Sequence, residues 1–403
     1  MKNISLVVAT LLVSSSTLFA EDNKNDWEFS GNLRTGYTAE TVDAPNTDSV
    51  TNTGAATGGW LTLQTPKVNT FSVTASLFTS QILMGQKSDW WLHSGGAGET
   101  NGKSYTYFGE AYISGELFSS DSIIGKTDIT IGRKVIETPF ANSDDMGMSP
   151  DSFELAMLQA NPIENLTVIA ARATKIGGYD APLAGAKSKD EFVELTQGDG
   201  VSIVAGLYSD EEAGISAQAW NYYLDDVDGA GLNMSLTYAD FVYTMSLSED
   251  MSVSVGAEYG LFQELNFDEK DGSLVGGKIE ASISDLSLGV AMDTASGDIA
   301  PQGGFSFAPY YTIANIYLTI AAPGVTDITA FSGKADYQVT EELSLSALYM
   351  TMSSDNLDDD WSEVDLSASY SVSDDLALDL YMATWNEGEK DFTRYTIFAN
   401  YSF

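Results

Sequence analysis

The last twelve residues, FTRYTIFANYSF (392–403), alternate strictly. Tyr395, Ile397, Ala399, Tyr401 and Phe403 share one face, with Arg394 on the other. Period two is the signature of a β-strand. Chain termini fray unless something ties them down, so a strand used to its final residue points to a sheet that must close. In lipid the demand is strict, because each unpaired backbone group at a sheet edge costs several kcal/mol. The reading is therefore a barrel in which the last strand pairs with the first and Phe403 marks the lower membrane interface, where aromatic girdles sit.

The same alternation recurs throughout. WEFSGNLRTGYTA (27–39), MSVSVGAEYGL (251–261), LSLSALYM (343–350) and SEVDLSASYSV (362–372) each separate an apolar from a polar face. Short polar joints such as PKVN (66–69), SED (248–250), SD (284–285) and SDD (373–375) alternate with long connections, including 40–56, 82–104, 137–151, 175–198 and 295–327. Tight turns on one side and longer loops on the other define an up-and-down membrane barrel. Counting between joints gives eighteen strands, most near the length that crosses a bilayer at a tilt. In 232–248 the apolar phase shifts near Ala239-Asp240, which the reading assigns to a β-bulge.

Composition agrees. The formal net charge is −40 and cysteine is absent, which removes a basic nucleic-acid surface and any disulfide or zinc–thiolate framework. A hydrophobic share of 43% argues against disorder, and a mean hydropathy of −0.07 fits a wall with lipid on one face and water on the other. Residues 1–20, MKNISLVVATLLVSSSTLFA, read as a secretory signal, which leaves 21–403 as the barrel.

One stretch resembles a known family. IGRKVIETPFANSDDMGMSPDSFE (131–154), followed by NPIENLTVIAARATKIGGYD (161–180), the opening GNLRTGY (31–37) and the aromatic terminus, is similar to OprD-type outer-membrane porins, and most to their epsilon-proteobacterial version. The resemblance implies an eighteen-stranded, often trimeric channel for small hydrophilic solutes. It also implies a pore role for Arg133, which alternation alone sets on the apolar face.

With lipid on the apolar face, alternation turns Arg34, Lys134, Lys278, Lys334 and Arg394 inward, together with Glu110, Glu116, Glu154, Glu258, Glu280, Asp293, Asp336, Glu363, Asp365 and Asp379. Acids outnumber bases about two to one here, and rings of carboxylates favour cations. Segment 137–151 is the constriction candidate, with Asp144 and Asp145 facing bases such as Lys134 or Arg34. The single histidine, His93 in DWWLHSGG (89–96), has no partner in sequence that would make it a catalytic base. No cofactor motif occurs. LDDVDGAG (224–231) and NLDDD (356–360) do not complete a calcium loop, so metal binding stays open.

The expected function is passive diffusion through an outer-membrane porin with mild cation preference, without catalysis or cofactor. Its partners are outer-membrane lipids, small hydrophilic solutes and further copies of the chain. The alternative is a plugged structural or adhesive surface barrel, with the rather apolar loop 295–327 as plug or protruding hairpin.

Overall fold

Alternation becomes register in the computed structural model, which describes residues 26–85, 92, 102–266, 270–322 and 324–403. The expected leader 1–20, Trp90, Trp91 and His93 lie outside the described residues.

Eighteen strands form one closed antiparallel wall. They are β1 (Glu28–Asp43), β2 (Val50–Gln64), β3 (Phe71–Gly85), β4 (Tyr105–Phe118), β5 (Lys126–Lys134), β6 (Ser152–Ile163), β7 (Leu166–Gly177), β9 (Gly200–Asp210), β10 (Ile215–Asp225), β11 (Met234–Ser248), β12 (Met251–Glu264), β13 (Asp271–Ile283), β14 (Leu286–Gly297), β15 (Ile328–Gln338), β16 (Leu343–Ser354), β17 (Trp361–Ser371), β18 (Leu376–Glu387) and β19 (Lys390–Ser402). The remaining element, β8 (Val193–Glu194), is a two-residue ladder laid on Lys175 and Ile176.

Each wall strand pairs with the next, and β1 pairs with β19 from Asn32↔Ser402 to Asp43↔Asp391. The seam is held to its last residue: Gly31 N donates to Phe403 O at 3.0 Å and Phe403 N to Gly31 O at 3.1 Å. The aromatic terminus therefore finishes the closure.

Asn69, Asn165 and Ser284 adopt φ of 59°, 64° and 51° in the short lower turns, the left-handed backbone that tight connections demand. The strands run further than expected at the opposite end, so much of 40–56 is hairpin rather than loop. Exposed Phe118, Tyr208, Tyr337, Tyr370, Tyr401 and Phe403 ring the lower outer rim. Tyr395 lies eight positions above Phe403 on the same face, which at ~3.3 Å per residue and a tilt of 35–45° is roughly 20 Å of membrane depth. That is close to the thickness of the apolar belt such barrels need.

The reading of 232–248 requires correction. Pairing of β11 with β12 runs unbroken through Ala239↔Tyr259, Asp240↔Glu258 and Phe241↔Ala257, and its irregularity lies at Ser246/Ser248. Phe241 and Tyr243 face outward and are exposed, whereas Met234, Leu236 and Tyr238 face inward and are buried. The apolar residues change sides because the upper inner wall is not wet. It packs against loops folded into the barrel, in one cluster that joins Phe153, Trp220, Leu236, Tyr238, Phe262 and Leu274 to Phe140, Tyr310, Leu318 and Ile320.

The cysteine-free sequence allows a direct check of facing. Single cysteines at Phe241 and Tyr243 are expected to react with lipid-soluble maleimides only, one at Lys334 with water-soluble reagent, and one at Leu236 with neither. Labelling of position 236 from the lipid phase would restore the bulge.

Candidate channel constriction

Three segments enter the lumen. The longest, 298–327, is held by carboxylates projecting from the wall. Tyr311 N donates to Glu258 Oε1 at 2.8 Å, and Thr312 donates through N and Oγ1 to Asp293 Oδ2 at 2.7 and 2.5 Å. Asn315 N donates to Asp365 Oδ2 at 2.7 Å, while Tyr317 N and Leu318 N donate to Glu363 at 3.2 and 2.6 Å. Five backbone N–H groups are thus satisfied by four carboxylates on β12, β14 and β17. Each such bond contributes about 0.5–1.5 kcal/mol net, and a buried donor left unpaired costs about 1–3 kcal/mol, so the carboxyl groups fix where the segment lies while its apolar packing against the wall supplies most of the rest. Gly276, between Glu258 and Asp293 in the pairing, makes the space. A Cβ there would overlap Asp293 Oδ1 and lie 2.8 Å from Glu258 Oε1.

The second segment, 135–151, is tied at both ends. Arg34 on β1 grips Asp145 with both terminal nitrogens, at 2.7 and 3.0 Å, and donates to Gly147 O at 2.6 Å and Asn400 Oδ1 at 2.9 Å. The guanidinium also lies 5.3 Å from the Trp60 ring and 5.2 Å from Phe398, inside cation–π range. On the far side Phe140 packs edge-on against Tyr222, Tyr238 and Tyr310. Asn142 Nδ2 donates to Phe307 O at 2.6 Å, and Phe305 N to Phe140 O at 2.8 Å. This segment therefore bridges the lumen from β1 to the clamped segment 298–327.

The third segment, 178–199, brings Asp180 to Asp151, whose Oδ1 accepts Asp180 N at 2.9 Å. Asp144 lies beside Asp180. Lys189 Nζ lies 4.1 Å from the Tyr179 ring, whose phenol meets Arg394 on β19. Burial pushes the carboxyls of Asp144 and Asp151 well above the usual range, with Asp180 beside them as the next cause. Asp180 is raised by burial and partly relieved by Asp144 and Lys189.

The residues singled out from sequence have different fates. Arg34 and Arg394 are inward and buried, Asp145 is neutralised by Arg34, and Asp144 is half-buried among loop acids. Glu110 is inward, accepting Ser76 Oγ at 2.6 Å and Val135 N at 3.0 Å. Lys134 sits 5.2 Å from the Tyr112 ring. Glu258 belongs to the clamp. Lower in the lumen, Lys334 pairs with Asp336 at 3.1 Å with their side chains 44% and 34% exposed, and Lys278 pairs with Glu280 at 3.2 Å.

Glu154 departs from its expected position, and Arg133 from the pore role the resemblance implied. They face each other across β5 and β6 and form a 2.8 Å hydrogen bond, on the same side as exposed Ile131 and Leu158. The neighbouring Phe153 and Leu155 turn inward to meet the loops. Tyr179 and Asp180 end the stretch 161–180 quoted for the resemblance, yet neither they nor Lys189 could be given a role, since they sit in a connection without alternation. Asp226 and Asp228 accept backbone N–H groups of their own turn, a local use that explains the LDDVDGAG run without an ion.

The sequence matches no family model and no curated protein. Solved structures match over nearly the whole chain. Pseudomonas aeruginosa OccK9 (OpdG) superimposes with TM-score 0.75 at 15% identity, covering 94% of this chain and 99% of that one. P. aeruginosa OpdK, solved with vanillate, gives 0.73 at 14%, covering 93% and 98%. Acinetobacter baumannii OccAB4 gives 0.72 at 14%, covering 95% and 100%. At such identity the similarity establishes the fold, the closed eighteen-stranded antiparallel barrel of OprD/Occ-type porins. A barrel with this apolar outer belt belongs in a bacterial outer membrane.

Two outcomes follow from the clamp. Glu363→Ala leaves Tyr317 N and Leu318 N without acceptors and should cost about 2 kcal/mol, shifting the loop equilibrium roughly 30-fold toward release. Larger, noisier single-channel steps are expected, and unchanged steps would refute a clamping role. For the acid cluster, folded pKa values raised above the ordinary carboxylate value of about 3.9 mean that loop packing is fully stable below that value and weakens as pH rises through the raised ones. Conductance should therefore rise as pH climbs above the ordinary carboxylate range, and Asp180→Asn should flatten the rise.

Proposed function

We propose that this protein is an outer-membrane porin passing small hydrophilic solutes and ions by diffusion, without catalysis, along a path narrowed by segments 135–151, 178–199 and 298–327. The observation that carries the reading is the wet inner wall below the loops, where Lys334 and Asp336 stand exposed on the lumen face of a closed barrel. A dry, filled barrel would bury such a pair rather than leave both side chains a third or more exposed.

A mild cation preference is supported by the net charge of −40 and by the surplus of inward acids. Much of that surplus is engaged in holding loops, so the preference is expected to be small. The plugged surface barrel is the second reading, and the inward packing of 298–327 against the wall favours it. Kinship with the epsilon-proteobacterial version of the family, and association as a trimer, are proposed on the sequence resemblance alone. Light scattering in detergent tests the trimer.

Planar-bilayer recording across a salt gradient separates the two readings. Stable steps with a reversal potential on the cation side support the porin. Asp145→Asn, which leaves Arg34 without its carboxylate, should then move the reversal potential toward anions. Folded protein without conductance selects the plugged barrel.

A further inference from the structure

The outer wall carries a feature that conduction does not use. Across β5, β6, β7 and β9, Ile129, Leu158, Ala170 and Val204 are paired in one row, and Ile131, Ala156, Arg172 and Ser202 in the row above. The small Ala156 and Ala170 leave a furrow of about 390 Å³ between Ile129 and Leu158 on one side and Val204 on the other. Arg172 closes its upper end, toward the long loops.

Arg172 is unusual for this chain. Its Nε donates to Asp199 O at 3.1 Å and its Nη1 to Ser202 Oγ at 2.5 Å, both neutral acceptors. No carboxylate among the described residues forms an ion pair with it, unlike the adjacent Arg133 and Lys175, which pair with Glu154 and Glu194. A guanidinium on the lipid side that reaches up to Asp199, at the upper end of β9, retains its charge only with water or an anion beside it. Its planar fork suits phosphate.

We propose that this furrow binds an anionic membrane lipid of the outer leaflet, with one acyl chain over Ala156 and Ala170 and a headgroup phosphate on Arg172. The charge complementarity is specific to the site: an apolar furrow ends at a cation without a carboxylate partner among the described residues, in a protein of strongly negative charge. Lys175, the next outward position on β7 after the β-bulge at Glu154/Leu155, lies where a second phosphate oxygen or sugar hydroxyl would reach.

The test uses the full barrel in detergent, titrated with a phosphorylated saccharolipid, with phosphatidylglycerol, with phosphatidylcholine and with inorganic phosphate, and read by native mass spectrometry. The expected result is a one-to-one adduct with the phosphate-bearing lipids that survives activation stripping phosphatidylcholine. Retention should fall at least tenfold in Arg172→Gln, and also in Ala170→Leu, which fills the furrow without changing charge. Heat-modifiable gel mobility confirms that both variants are folded. Equal retention by wild type and Arg172→Gln overturns the site. Equal binding of inorganic phosphate with no effect of Ala170→Leu reduces it to an anion contact. A dimer that excludes lipid and is lost in Ala170→Leu assigns the furrow to a second copy of the chain and also overturns the proposal.

Discussion

Everything inside this barrel depends on wall carboxylates accepting backbone N–H groups from segment 298–327. A segment without regular structure cannot satisfy its own donors, and burying them unpaired is costly. Glu258, Asp293, Glu363 and Asp365 supply the missing acceptors. Once that segment is fixed, its Phe305 and Phe307 carbonyl and amide groups give 135–151 an edge to bond to, and Arg34 closes the bridge from the opposite wall. The order of dependence runs from wall to longest loop to constriction.

This arrangement changes what inward charges mean. Counting acids and bases on the lumen face treats each as a contributor to the field met by a solute. Here Glu258, Asp293, Glu363 and Asp365 are committed as structural acceptors, and Arg34 and Asp145 neutralise each other. What remains for the solute is a smaller set lower in the lumen, chiefly the Lys278–Glu280 and Lys334–Asp336 pairs, each close to neutral. The constriction is therefore shaped more by loop position than by free charge, and protonation of the Asp144, Asp151 and Asp180 group acts on it through packing.

The strand count and closure were legible in the sequence because period two survives wherever one face meets lipid. LSLSALYM and FTRYTIFANYSF read correctly for that reason, as did the seam at Phe403. The inward course of 298–327 was legible only as an oddity, an apolar loop containing YYTIANIYLTIAAPG. Which acids would bind it was not legible, since carboxylates facing water and carboxylates facing a loop backbone look alike along a strand. The pairing of Arg34 with Asp145, 111 residues apart, was open only as a charge complementarity between a strand and a loop.

The misplaced residues share one cause. Alternation reports two faces but not which one meets water, and assigning the apolar face to lipid assumes a wet lumen. Over β6 and the upper half of β11 the lumen is filled by loops. Phe153, Leu155, Leu236 and Tyr238 point inward as they would in a soluble core, and Glu154 is thereby turned out to meet Arg133. On β11 this produced an apparent phase shift where the backbone pairing is continuous, because the apolar set crosses from the inner to the outer face as the strand descends below the loops. The outer face of the same sector then carries Arg133 and Lys175 paired with Glu154 and Glu194, beside Arg172, which has only neutral acceptors. The inversion of polarity inside the barrel and the charged rim outside it are thus two consequences of the same inward-folded loops.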